Sequence, residues 1–395
     1  MLILHQYFRT PYEGGALRSY YLAKALTDAG IPVVVITANN NASASFVNID
    51  GIEVHYLPIP YDNRFGFYKR TFAFVRYIVG SLRLINTLHQ NISLCYAISV
   101  PLTIGVVARL VKWWYRIPYI FEVGDLWPDA AIQMGVIQNI ILKKILWGME
   151  QSTYREAESV VALSPMIQQT IQSRCSGKIV HLIPNMSDTN FYQPEVKSEV
   201  LEHKYLVKDK FVISYIGALG QANGLDFLLA CARACQKATA PTHFFVCGDG
   251  GQADHLKATA VKLCLTNITF LPFQNRDGVK HILNITDAVF ICYKPLPILE
   301  TGSPNKYFDG LAAGKIILTN FGGWIREEIE SNGCGVYVRP NNPEEIVLRL
   351  QSFVNNTTTK DHYQRAARRL AESKYSRTQL CREWTTIIQG QLNKR

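Results

Sequence analysis

Lys306 stands in the stretch ETGSPNKYFDGLAAGKIILT, residues 300–319, where a polar turn runs into a short amphipathic helix and then a β-branched strand. Ser303 suits an N-cap and Pro304 the first helical position, which puts Lys306 in the first turn. The helix dipole disfavours a cation there by about 0.3–1 kcal/mol. Either the lysine is simply solvated, or an anion shares that helix end and Lys306 meets it. Three post-strand loops of the second half bear on the choice: YIGALGQANG with Gly217, Gly220 and Gly224, VCGDGG with Gly248, Asp249 and Gly250, and YKPLPILETGSPNK with Lys294 and Gly302. Glycines let backbone N–H groups approach phosphate oxygens, and the helix that follows adds its positive end. The spacing matches neither GxGxxG nor a P-loop, and each turn alone fits an ordinary connection. Three of them at one end of one sheet point to a phosphate cradle.

The first half offers two more loops. TPYEGGALRS places Gly14 and Gly15 before a helix that carries Arg18 in its first turns. FEVGDLWPDA sets Asp125 just past a strand end, with Trp127-Pro128 stiffening the turn after it. A carboxylate there could orient a hydroxyl or a sugar. It could equally cap the next helix, with Asp129 as a competing cap.

These loops need two α/β units to hold them. A chain of 395 residues exceeds what one core usually serves. Val- and Ile-rich runs alternate with helical patterns: LILH, PVVVIT, IEVHYL, SLCYAIS, PYIFEV, SVVALS and KIVHLI first, then FVISYIG, HFFVCG, ITFLPF, AVFICY, KIILT and GVYV. Near-continuous hydrophobic strands between helices predict parallel sheets covered on both faces. The pattern predicts two Rossmann-like doubly wound domains facing each other across a cleft, residues 1–190 and 191–375, with a C-terminal helix in 376–395 returning to the first. Nine scattered cysteines, with no CxxC pair, predict buried reduced thiols in a cytoplasmic protein. The N-terminal residues have no basic n-region and no long apolar run, so they do not read as a signal peptide.

The net charge of +10 predicts an anionic partner. From Asn63 to Phe121 there are eight Lys or Arg residues and no acid: Arg64, Lys69, Arg70, Arg76, Arg83, Arg109, Lys112 and Arg116. Phe65, Phe67, Trp113 and Trp114 are mixed among them. This is what a helix lying on an anionic bilayer needs, and charges interrupt each apolar run too early for a span. Two core-packed helices with basic outer faces are the other reading. No recognition motif accompanies the charge, so nucleic acid is not expected.

Together, EGGALRSYYLAKAL, DLWPDA, IPNMSDTNFYQP, VCGDGG and SPNKYFDGLAAGK resemble the retaining GT-B glycosyltransferases of family 4, nearest the aminosugar transferases of bacterial O-antigen and capsule assembly. The resemblance implies a UDP-sugar donor held by the second domain, a polyprenyl-diphosphate-linked acceptor held mainly by the first, and work on the inner face of the cytoplasmic membrane. It also implies neither metal nor cofactor. By the same resemblance, Asp125, Lys294 and Lys306 are catalytic, and Gly14, Gly15 and Arg18 touch the acceptor. Gly217, Gly220, Gly248, Asp249, Gly250, Phe273, Gly302, Ser303, Pro304, Asn305 and Asp309 hold the donor, with Asp309 as the second acid of the E-x7-E pattern. Two places depart from the family. Thr301 stands where the first acid belongs, beside Glu300, and Ala218 and Asn223 stand where an Arg and a Lys usually bind phosphate. That leaves Lys294, Lys306 and Arg326 to carry more of the leaving-group charge. A UDP-sugar 2-epimerase of the same fold and a non-catalytic nucleotide-sugar-binding component are the alternatives.

Overall fold

The structure, a computed structural model, describes residues 1–41, 43–62 and 65–394. Its first sheet holds β1 (Leu2–Leu4), β2 (Val34–Asn39), β3 (Ser45–Ile49), β4 (Ile52–Pro58), β5 (Cys95–Ile98), β6 (Tyr119–Val123), β7 (Ser159–Ala162) and β8 (Val180–Leu182). Their spatial order is β3-β4-β2-β1-β5-β6-β7-β8. Every pair is parallel except the β3–β4 hairpin, which turns at Asp50-Gly51. The second sheet is parallel throughout: β9 (Phe211–Ile216), β10 (Thr242–Cys247), β11 (Ile268–Leu271), β12 (Ala288–Ile291), β13 (Ile316–Thr319) and β14 (Gly335–Tyr337), in the order β11-β10-β9-β12-β13-β14.

Side chains alternate between faces, and both faces are buried. Leu2 and Leu4 of β1 enter one core cluster while Ile3 enters the other. Ala288 and Phe290 of β12 likewise oppose Val289 and Ile291. This double burial is why the strands read as unbroken apolar runs. The two parallel sheets expected from the sequence are therefore present. The strand β3 is an addition: its residues are mostly exposed at the sheet edge, so no apolar run marks it.

Helix α1 (Arg18–Asp28) follows β1 and ends at Gly30, whose φ of +78° closes it. The helix Arg377–Leu392 lays Cys381, Trp384 and Ile388 into the cluster that contains Ile3 and α1's Leu22, Ala23 and Leu26. The chain's last helix thus returns to the first sheet.

Beside that sheet, α2 (Phe67–Leu88) packs on α3 (Thr103–Tyr115), which packs on a longer helix at Ile140–Glu156. Tyr68, Phe72, Val75 and Val79 form an exposed stripe along α2, and Trp113 and Trp114 are exposed at the end of α3. Ile140, Ile141 and Ile145 are exposed on the third helix. The charge excess here is smaller than the sequence stretch alone implies. Arg109 pairs with Glu156 at 2.7 Å and Lys112 with Glu158 at 3.1 Å, both acids coming from beyond Phe121. Phe65 is half-buried near Tyr61 rather than projecting outward. Asn63, Arg64 and the side chain of Phe67 lie outside the described residues. Among the described residues, no helix is long and apolar enough to cross a membrane.

Candidate active-site cleft

The loops at the strand C-termini of the two sheets enclose a cavity of about 1020 Å³. Its wall includes Gly15 and Arg18 from the first domain. From the second come Gly217, Ala218, Gly248, Asp249, Gly250, Phe273, Pro304, Asn305, Lys306 and Asp309. Gly14 stands where the domains touch: a Cβ on it would lie 3.4 Å from the Asn275 backbone. Gly220, Gly302, Ser303, Lys294 and Asp125 are not part of the cavity wall.

Lys306 is the central cation. The helix Asn305–Ala312 starts one residue later than the sequence reading places it, so Pro304 is its N-cap and Ser303 makes no cap bond. The Ser303 hydroxyl is buried with no hydrogen-bond partner among the described residues. Lys306 Nζ donates to the Tyr215 hydroxyl at 2.9 Å and lies 4.1 Å from the centre of that ring. No carboxylate pairs with it among the described residues. Burial lowers its pKa to about 8. An ammonium held away from water, backed by an aromatic ring and facing a cavity, is a group poised for an anion.

Asp309 lies one turn further along the same helix. Burial raises its carboxyl pKa to about 7, against the opposing pull of Arg276. Asn223, where the family usually has a cation, donates through Nδ2 to the Ala218 carbonyl at 2.9 Å, and its Oδ1 lies 3.5 Å from Lys306 Nζ. Arg326 does not make up for that loss. It pairs with Glu330 at 3.2 Å and packs over Tyr337, away from the cleft. Glu300, beside the missing first acid, accepts from the Gly322 N–H at 3.3 Å.

Two more of the cleft's cations come from residues the sequence reading did not single out. Arg276, first in the helix Arg276–Ile285, and Arg377 both bond to Oδ2 of Asp188 in the linker. The Tyr21 hydroxyl of α1 donates to the same oxygen at 3.3 Å. Arg276 also stacks 3.6 Å above the Phe191 ring. Two guanidiniums share one carboxylate here, so this corner of the wall keeps one positive charge in excess.

In the first domain, Arg18 is buried and its charge is already matched. It makes a fork with Glu122 at 2.8–3.1 Å and donates to the Pro184 carbonyl at 2.5 Å. It lines the cleft as a brace under the α1 loop. Asp125 follows β6 and does not cap the next helix, Asp129–Gln133, whose N-cap is Pro128. Asp129 is also engaged elsewhere, by the Trp147 indole at 2.9 Å and by Arg174. Asp125 stays accessible to solvent, and desolvation raises its carboxyl above the usual range. Its charge acts on Tyr293 in the loop after β12, but neither residue is part of the cavity wall.

A family model of glycosyl transferase 4-like domains matches residues 13–185, and the model of glycosyl transferases group 1 matches residues 197–370. The chain belongs to the GT-B glycosyltransferases. This glycosyltransferase is 23% identical over 183 residues to an uncharacterized glycosyltransferase of Methanocaldococcus jannaschii, a match covering 45% of each chain. The matched stretch thus spans less than half the length of that curated relative. Among solved structures it is similar to sucrose-phosphate synthase of Thermosynechococcus elongatus, with a TM-score of 0.80 and 11% identity over 100% of this chain and 99% of that one. It is also similar to Anabaena HepE in complex with UDP and glucose, with a TM-score of 0.71 and 18% identity over 98% of each chain. At these identities the likeness is one of fold.

Proposed function

We propose that this glycosyltransferase moves a sugar, with retention, from a UDP-sugar to a polyprenyl-diphosphate-linked saccharide of bacterial surface polysaccharide synthesis, the sugar being an N-acetylated aminosugar. The observation that carries the donor half is Lys306: a desolvated ammonium without a carboxylate partner among the described residues, facing a cavity ringed by glycine turns. HepE, similar in fold, holds UDP and UDP-glucose, which supports a uridine diphosphate in the same cleft. When the bond from the anomeric carbon to the diphosphate oxygen breaks, negative charge grows on that oxygen and Lys306 takes it up. Asp309 accepts hydrogen bonds from the ribose hydroxyls. Asp125 orients the acceptor hydroxyl from the opposite domain.

The lipid half rests on the exposed apolar stripe of α2, the exposed Trp113, Trp114, Ile140, Ile141 and Ile145, and the cations on the same helices. Such a face suits an anionic leaflet, where a polyprenyl acceptor is embedded. The deciding experiment measures UDP release from a panel of UDP-sugars with and without a polyprenyl-diphosphate-linked acceptor. Acceptor-dependent release supports the transferase. Epimerised UDP-sugar without a lipid acceptor supports the epimerase, and tight UDP binding without release supports a binding component. In the same assay Asp125→Asn should largely abolish transfer while UDP still binds. Transfer near wild type would remove Asp125 from the mechanism.

A further inference from the structure

A second cavity, of about 460 Å³, opens between the interdomain linker and the helix Thr357–Lys374. It is separate from the donor cleft. Lys315 lines it and immediately precedes β13, whereas the cleft lies at the strands' C-terminal ends. Lys315 is only 6% exposed. Among the described residues its ammonium reaches just the Asn284 carbonyl, at 3.5 Å. Burial lowers its pKa to about 8, with Asp287 opposing the fall and Lys197 and Lys360 adding to it. Asp287 and Glu195 attract this buried ammonium and two lysines repel it, but no carboxylate is in contact with it among the described residues.

The two nearby acids that attract it are engaged with other lysines. Glu195 is occupied by Lys280 at 3.1 Å. Asp287 is occupied by Lys197 at 2.5 Å and by Lys360 at 3.6 Å. Arg368 is satisfied by Glu372 and by the carbonyls of Thr189, Tyr192 and Ala312. Arg365 and Arg369, one turn apart on the helix, have guanidiniums with no ion pair or hydrogen bond among the described residues. Against Lys315, Arg365 and Arg369 stands only Asp361, an excess of two positive charges around a concave space.

We propose that this pocket binds a phosphate dianion, free or as a monoester, with Arg365 and Arg369 gripping its oxygens and Lys315 closing on it from beneath. Planar guanidiniums match phosphate oxygens in paired hydrogen bonds, and a dianion cancels the excess charge. The site is independent of the donor cleft and stands or falls without it.

The test is calorimetric titration of inorganic phosphate into the full chain at neutral pH, with UDP present in excess. The expected result is one phosphate site per chain. Arg365→Ser/Arg369→Ser should weaken it at least about tenfold, the loss of a charge-assisted contact, and Lys306→Ala should leave it unchanged. Asp361→Asn removes the opposing charge and should tighten binding, so the idea stays testable if the double variant fails to fold. Absence of binding, binding indifferent to the arginines, or binding lost in Lys306→Ala would each overturn the site. Competition by glucose 6-phosphate would identify a soluble ester as the source, and competition by phosphatidic acid vesicles a lipid headgroup.

Discussion

Lys306 and Asp309 share one helix face, and their pKa values of about 8 and about 7 set a pH window for the donor site. Under the proposed donor assignment, UDP binding needs the ammonium and the carboxylate together. Affinity should therefore rise as Asp309 ionises through pH 7 and fall as Lys306 deprotonates through pH 8. Titration calorimetry across pH 5.5–9.5 would show a maximum between the two steps. Asp309→Asn should erase the acid limb and Lys306→Met the alkaline one; a flat profile in the unaltered protein would refute the assignment. Lys306→Ala should cut turnover by orders of magnitude, since one lost donor at a developing anion commonly costs about 3–4 kcal/mol. The same change should not destabilise the fold. The folded state lowers the lysine's pKa, so at neutral pH it holds an ammonium at a cost, and that cost is relieved only as pH rises from about 8 towards the unfolded value. A melting temperature in Lys306→Ala equal to or above wild type checks this. Lys306 was legible because a cation in a first helical turn conflicts with the helix dipole. Arg276 and Arg377 were not. They meet Asp188 across separations of 88 and 189 residues, and no local spacing encodes that contact.

Glycines in the loops following the strands have two different duties, and the elements show which is which. A Cβ on Gly248 would sit 1.9 Å from the Gly217 carbonyl oxygen, and one on Gly250 would sit 2.6 Å from that of Leu219. The loops after β9 and β10 are pressed together, and these glycines permit it. Gly248→Ala should therefore separate the loops, cost about 1–3 kcal/mol of stability and weaken UDP binding in the same variant. Gly15 differs, having φ of +88° with no atom within 4 Å of a Cβ built on it. Gly15→Ala should cost only the backbone strain of about 1–2 kcal/mol, so a larger loss of transfer than of stability would report a ligand at that loop. Paired denaturation and turnover measurements separate the two. The strands themselves were readable because double burial turns each into an apolar run. β3 escaped notice because an exposed edge strand has no such run, and its only mark is the Asp50-Gly51 turn. The start of the Lys306 helix was off by one residue, because Ser303 and Pro304 each satisfy a capping rule and local rules cannot choose between the two registers.

At the scale of the whole molecule, the donor cleft and the apolar face of α2 belong to one chain whose first domain, under the proposed function, meets a lipid-linked acceptor. The sequence stretch from Asn63 overstates the charge available for that meeting, because Glu156 and Glu158 return from the helix beginning at Ile140 to pair with Arg109 and Lys112. The same helix compensates by bringing Ile140, Ile141 and Ile145 to the surface, with Lys143 and Lys144 between them. Membrane binding should therefore depend less on salt than the raw charge count implies and more on inserted side chains. Each cation near an anionic leaflet contributes about 1 kcal/mol and is screened within a Debye length, whereas buried apolar groups are not screened. Vesicles containing anionic lipid should cosediment the protein at low salt and retain a fraction of it at high salt. Tyr68→Ser/Phe72→Ser should remove the salt-resistant fraction, and Lys69→Ser/Arg83→Ser should lower binding only where salt is low. Neither pair lies in the cleft, so release of UDP with a detergent-dispersed acceptor should be unchanged in both variants. If wild type fails to cosediment at low salt, the face is an ordinary solvated surface and the lipid reading fails, while the donor chemistry of Lys306 stands unaffected.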